Sequence, residues 1–161
     1  MASATKALVL GAGIWLAALT AVADEFARGL SAYNAADYGT AFDAWYPLAD
    51  ENDAKAQAAL AFLYLKGLGV RQDDVRAADW YRRAAQLGRP EAQFFLGTLY
   101  YLGRGVPQND RLAHVWCEIA LAGGIPAGLD CRDAASARMT RADVREAYRK
   151  AAQWLESHRG R

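Results

Sequence analysis

Histidine is nearly absent from this 161-residue chain, with only His114 and His158, and cysteine occurs only as Cys117 and Cys131. That scarcity excludes several chemistries. There is no His pair at metal-ligand spacing and no Cys-x-x-Cys, so no metal site is expected. None of Ser3, Ser31, Ser136 and Ser157 stands in a Gly-x-Ser-x-Gly elbow. An excess of one charge is also missing. Lys and Arg number 19 against 18 Asp and Glu, a net charge of +1, so no strong field is directed at nucleic acid or an anionic membrane. Valine and isoleucine are few beside alanine, which favours packed helices over sheets. The carboxylates are scattered. The adjacent Asp73 and Asp74 read as a helix start in preference to an acid pair. His114 reads as a helix-surface or interface residue, and His158 falls in the C-terminal tail. No catalytic constellation and no cofactor site emerges, so the chain is not expected to be an enzyme.

Long apolar runs are confined to the N-terminus. Lys6 and the free amine form a short positive end, Ala7 to Thr20 is uncharged and mostly apolar, and Ala21-Val22-Ala23 is a small-x-small cleavage site before the acidic Asp24-Glu25. Residues 1–23 are therefore expected to be a signal peptide, with cleavage between Ala23 and Asp24 and a periplasmic or secreted mature chain. The competing reading is an uncleaved inner-membrane anchor, because Ala7 to Ala23 is at the short edge of membrane-spanning length. No cysteine at the junction marks a lipoprotein. In an exported chain, Cys117 and Cys131 invite either a structural disulfide or a redox site. Flanking one turn on neighbouring helices, they are expected to be structural.

What the sequence has in quantity is self-similarity. Ala56-Gln57 recurs as Ala92-Gln93, Leu60-Ala61 as Leu96-Gly97, and Tyr64 as Tyr100. Gly67-Leu68-Gly69-Val70 recurs as Gly103-Arg104-Gly105-Val106, Asp74 as Asp110, Trp80 as Trp116, and Gly88 as Gly124. Each unit reads as a helical hairpin. Leu60, Leu63 and Tyr64, then Leu96, Leu99 and Tyr100, form an apolar stripe on the first helix. Gly67 and Gly69, and again Gly103 and Gly105, supply the positive φ of a tight reversal. Val70 and Val106 tuck back as apolar plugs. Asp74 and Asp110 are expected at the start of the second helix, which carries Trp80 or Trp116.

These residues resemble the Sel-one-like repeat family, relatives of the tetratricopeptide repeats. Their hairpins carry Ala-Gln, Leu-Gly, Tyr, Gly-x-Gly-Val and Trp-Tyr-x-x-Ala-Ala. In this chain Ala61 replaces the usual Gly and Cys117 the usual Tyr. The expected fold is all-α, an α/α solenoid of about four stacked hairpins. The division is 24–53 for a degenerate first hairpin, 54–89 and 90–125 for two repeats, and 126–161 for a C-terminal capping hairpin. In the last, Thr140 and Asp143 form a capping box, and Val144, Tyr148, Ala151, Ala152 and Leu155 are the expected inward stripe.

The resemblance implies a non-catalytic adaptor of the bacterial cell envelope, binding a partner protein or peptide in a concave groove. In tetratricopeptide-like solenoids the first helices line that groove, which makes Phe62, Phe94, Phe95 and Tyr101 candidate anchors, with packing against the next hairpin the equal alternative. Arg141, Arg145 and Arg149 form a second candidate stripe, for an acidic partner, or else a solvated face. Two other functions remain open: an enzyme acting on cell-wall or small-molecule substrates, and a membrane-anchored structural subunit.

Overall fold

The computed structural model describes residues 24–160, so the expected signal peptide lies outside the described residues. Among those residues there are eight helices and no strand. They are α1 (residues 24–34), α2 (Tyr38–Asp50), α3 (Ala54–Lys66), α4 (Asp74–Gln86), α5 (Pro90–Leu102), α6 (Asp110–Ala122), α7 (Gly128–Ser136) and α8 (Arg141–Ser157). Phe26 and Trp45 join α1 to α2, and from α2 each helix packs on the next in sequence through α7, which makes an α/α solenoid.

The second helices α2, α4 and α6 are each 13 residues long and share one register. Their N-caps are Asp37, Asp73 and Asn109. The Asp73 carboxylate accepts from the Val75 and Arg76 amides, both at 3.0 Å, and Asn109 accepts from Leu112 N–H at 3.0 Å. The caps thus lie one residue before the expected Asp74 and Asp110, which occupy the first turn. A cap must keep an extended backbone while its side chain turns back to the orphan amides. Asp73 has that geometry at φ −150°, ψ 98°.

The repeat motifs are joints between hairpins. Gln57 and Gln93 are buried, and each donates its amide to a carbonyl near the end of the preceding second helix, Ala49 at 3.0 Å and Ala85 at 3.2 Å. Gly69 and Gly105 have φ near +67° and +68°. A Cβ on Gly69 would strike the Tyr38 backbone, and one on Gly105 would strike the Asp74 carbonyl. Each Gly-x-Gly-Val loop therefore lies against the start of the preceding second helix. Val70 and Val106 pack as the expected plugs against the buried cluster around Tyr81, Leu96 and Leu99. Burying such a leucine side chain contributes roughly 1.5–3 kcal/mol. At the N-terminal end Trp45 locks α1 to α2. Its indole faces Gly29, where any side chain would collide, and donates to the Phe26 carbonyl at 3.2 Å.

The C-terminal hairpin breaks this pattern. The disulfide Cys117–Cys131, with Cα atoms 5.9 Å apart, fastens α7 to α6. Gly97 makes room for it, since a Cβ there would meet the Cys117 sulfur. The helix α8 lies across α6, burying Val115 and Ile119 with its own Ala147 and Ala151. Its inward stripe departs from expectation at Ala152. Val144, Ala151 and Leu155 turn inward as expected, joined by Ala147 and Trp154; Tyr148 is 40% exposed with its ring on the buried His114, and Ala152 is exposed. Trp154 lies edge-on to Trp116 at 6.0 Å. The Thr140 hydroxyl caps α8, accepting from Asp143 N–H at 3.2 Å and donating to the Asp143 carboxylate at 2.8 Å.

Candidate functional site: a groove along the fourth helix

The outward stripe of α4 carries Arg76, Trp80, Arg83 and Leu87, at spacings of four, three and four, so they line one helix face. Trp80 is half-buried, with its inner edge on the core clusters to either side. The half-exposed Tyr46 ring of α2 meets it edge-on at 6.3 Å. The Arg83 guanidinium lies over the Trp80 ring, 4.6 Å from its centre. Arg76 lies over Tyr64 at 5.5 Å and donates to its hydroxyl at 3.2 Å. That hydrogen bond pushes the Arg76 pKa up from its ordinary value, so its charge is fixed.

A hollow opens at each end of this stripe. One, about 590 Å³, is polar and lies over the α3–α4 turn between Tyr64, Gln72, Asp73 and Arg76. The other, about 550 Å³, is an apolar cleft. Leu87 and Pro90 form one wall, Ile119 the floor, and Trp154 and Leu155 the other wall. His158 stacks on Trp154 at 3.9 Å and forms the rim with Arg159. Leu87 at the mouth is 52% exposed.

The sequence-predicted anchors lie elsewhere. Phe95 stacks on the buried Tyr81 ring at 5.0 Å, and Phe94 packs edge-on against Phe95. Phe62 packs on Tyr33 under Lys66. Tyr101 is covered by Arg138, 3.9 Å above its ring. None of the four lines the apolar cleft. Arg141, Arg145 and Arg149 share an exposed face of α8, and Arg149 pairs with Glu146. The sequence signal for this helix face is Trp80 with Arg83 three residues on; Trp80 recurs as Trp116 and reads as a structural repeat position, while Arg83, matched by Ile119, has no repeat counterpart.

A polar cluster missed by sequence spacing joins the last three helices. His114 is fully buried and its Nδ1 lies 2.8 Å from the Ser136 hydroxyl. That hydroxyl donates its one proton to the Arg132 carbonyl at 2.8 Å, so His114 Nδ1–H must be the donor to it. Nε2 then carries a lone pair, buried and without a partner among the described residues. Histidine gives a proton to Ser136 and takes none, so the pair ties α6 to α7 and does not activate the serine. Burial pulls the His114 pKa below its ordinary value. Glu118 and Asp133 act against that shift and Arg132 with it.

The Sel1 repeat family model matches residues 54–88 and 90–125. A Sel1 repeat protein from Oxalobacter formigenes is 31% identical, with 70% of this chain and 87% of that one covered and a TM-score of 0.64. A protective antigen present in uropathogenic Escherichia coli strains, displaying an SLR fold, is 26% identical over 84% of this chain at a TM-score of 0.79. The chain spans 30% of that antigen's length. No curated protein matches by sequence. The chain belongs to the Sel1 repeat family. That fold is generally a scaffold for protein interaction, and the family is typically non-catalytic. No described helix is long and apolar enough to cross a membrane.

Proposed function

We propose that this protein is a non-catalytic adaptor of the cell envelope, exported by cleavage between Ala23 and Asp24, and that it holds a segment of a partner protein in the groove along α4. The carrying observation is the apolar cleft of about 550 Å³ between Leu87 and Trp154, beyond the C-terminal end of a helix face that bears Arg76, Trp80 and Arg83. Trp, Tyr and Arg are the residues that most often concentrate binding energy in interfaces. The disulfide supports export, because such bonds persist in oxidising compartments.

The test is chemical crosslinking in cells, followed by capture through a C-terminal tag from the envelope fraction. The expected result is one dominant partner on a chain beginning at Asp24, lost when Leu87→Asp blocks the cleft. A partner retained in full by Leu87→Asp removes the cleft from the interaction, and a chain retaining residues 1–23 replaces export by anchoring.

A further inference from the structure

We infer that the partner segment is an acidic amphipathic helix, laid along α4 as α8 is laid along α6; this rests on the adaptor reading and names the chemistry of its ligand. The fold already contains one example of a covered second-helix face. On α6, Val115, Trp116 and Ile119 meet Ala147, Ala151, Trp154 and Leu155 of α8. In the shared register the matching residues of α4 are Asp79, Trp80 and Arg83. There the tryptophan is kept, no helix among the described residues lies across it as α8 lies across α6, and its apolar neighbours are replaced by charges.

Those charges define the ligand. Asp79 is engaged by Arg82, and Asp73 caps α4 and pairs with Arg76 at 3.5 Å. Arg71 and Arg83 have no ion-pair partner among the described residues, and Arg76 is two-thirds exposed. The unmatched charge along the groove is therefore positive. A guanidinium stacked on an aromatic ring keeps its in-plane N–H groups free for bidentate contact with a carboxylate. Tyr46 beside Trp80 and Leu87 at the C-terminal end, each about half exposed, offer apolar seats. A helix with carboxylates three or four positions from large apolar side chains meets both features at once.

The test selects binders from a display library of random peptides of about 16 residues, long enough for marginal helix, on the oxidised full chain. Enriched peptides are expected to place Asp or Glu three or four residues from Leu, Phe or Trp. Their synthetic forms should bind less tightly as salt rises. Arg83→Glu should weaken them by about tenfold or more, the loss of one charged hydrogen-bonded contact, while Arg145→Glu on α8 should not. Arg83 is exposed, so circular dichroism of Arg83→Glu should match the parent. Enriched peptides without acidic bias, binding indifferent to Arg83→Glu, or no enrichment each overturn the inference. Binders that lose affinity with Leu87→Asp but not Arg83→Glu overturn it while leaving the adaptor reading standing.

Discussion

Arg104 reaches back across a repeat boundary to the carboxylate of Asp74, donating from Nε at 3.0 Å and from Nη2 at 2.8 Å. The bidentate pair spans 30 residues of sequence and fixes the α5–α6 loop on the first turn of α4. It holds the Asp74 carboxyl below its usual range, chiefly through the Arg104 hydrogen bond. Both side chains are partly exposed, at 42% and 30%, so solvent screens the pair. Arg104→Leu, which installs the residue that Leu68 provides one repeat earlier, should cost about 0.2–1 kcal/mol. Chemical denaturation near neutral pH checks this. The wild-type advantage should be present above the ordinary carboxylate pKa and fade as pH falls through the lower folded value.

The backbone at the same joint is far less tolerant. Gly105→Ala places a Cβ into the Asp74 carbonyl at a residue with φ +68°. The left-handed conformation alone costs about 1–2 kcal/mol for an alanine, and the collision requires the loop to leave α4. Thermal melts should show a larger loss for Gly105→Ala than for Gly88→Ala, where φ is also positive at +87° but nothing lies within 4 Å.

His114 predicts acid sensitivity of the C-terminal hairpin. Its folded pKa is depressed by burial, so below the unfolded value of 6.5 the unfolded chain takes up a proton that the folded chain refuses. Stability should fall as pH drops through and below that value and level off beneath the folded pKa. In His114→Gln the absolute stability should be lower, but this part of the pH dependence should flatten. Urea midpoints between pH 8 and pH 5 decide it; an unchanged slope in His114→Gln contradicts the assignment.

The disulfide closes a loop of sequence separation 14. Its removal by Cys131→Ser should cost about 3 kcal/mol in the chain-entropy treatment. Melting with and without reductant checks the value, and the variant should melt alike in both.

The repeat was legible in the sequence because each motif residue has a local physical duty. Gly67 and Gly103 end helices, Ala-Gln joins one hairpin to the next, and Leu60 and Leu96 fill the core. The groove was not legible. Whether Phe95 faces a ligand or Tyr81 depends on how neighbouring hairpins rotate, which periodicity within one helix does not encode. The partners of α8 were likewise hidden. Val144, Tyr148 and Leu155 keep a helical spacing, but only the fold shows that Tyr148 meets His114 and that Trp154, outside the expected stripe, meets Trp116. The His114–Ser136 bond joins residues 22 apart on different helices, beyond any local motif.

The adaptor groove is tested most directly by site-specific photocrosslinking in cells, with the photoreactive residue at position 87 in one strain and at position 129 in another. Leu87 stands at the mouth of the cleft, and Leu129, 43% exposed on α7, lies outside it. A discrete covalent adduct from position 87 and none from position 129 is the expected outcome. Equal adducts from both positions, or an adduct from position 129 alone, would contradict a binding groove along α4.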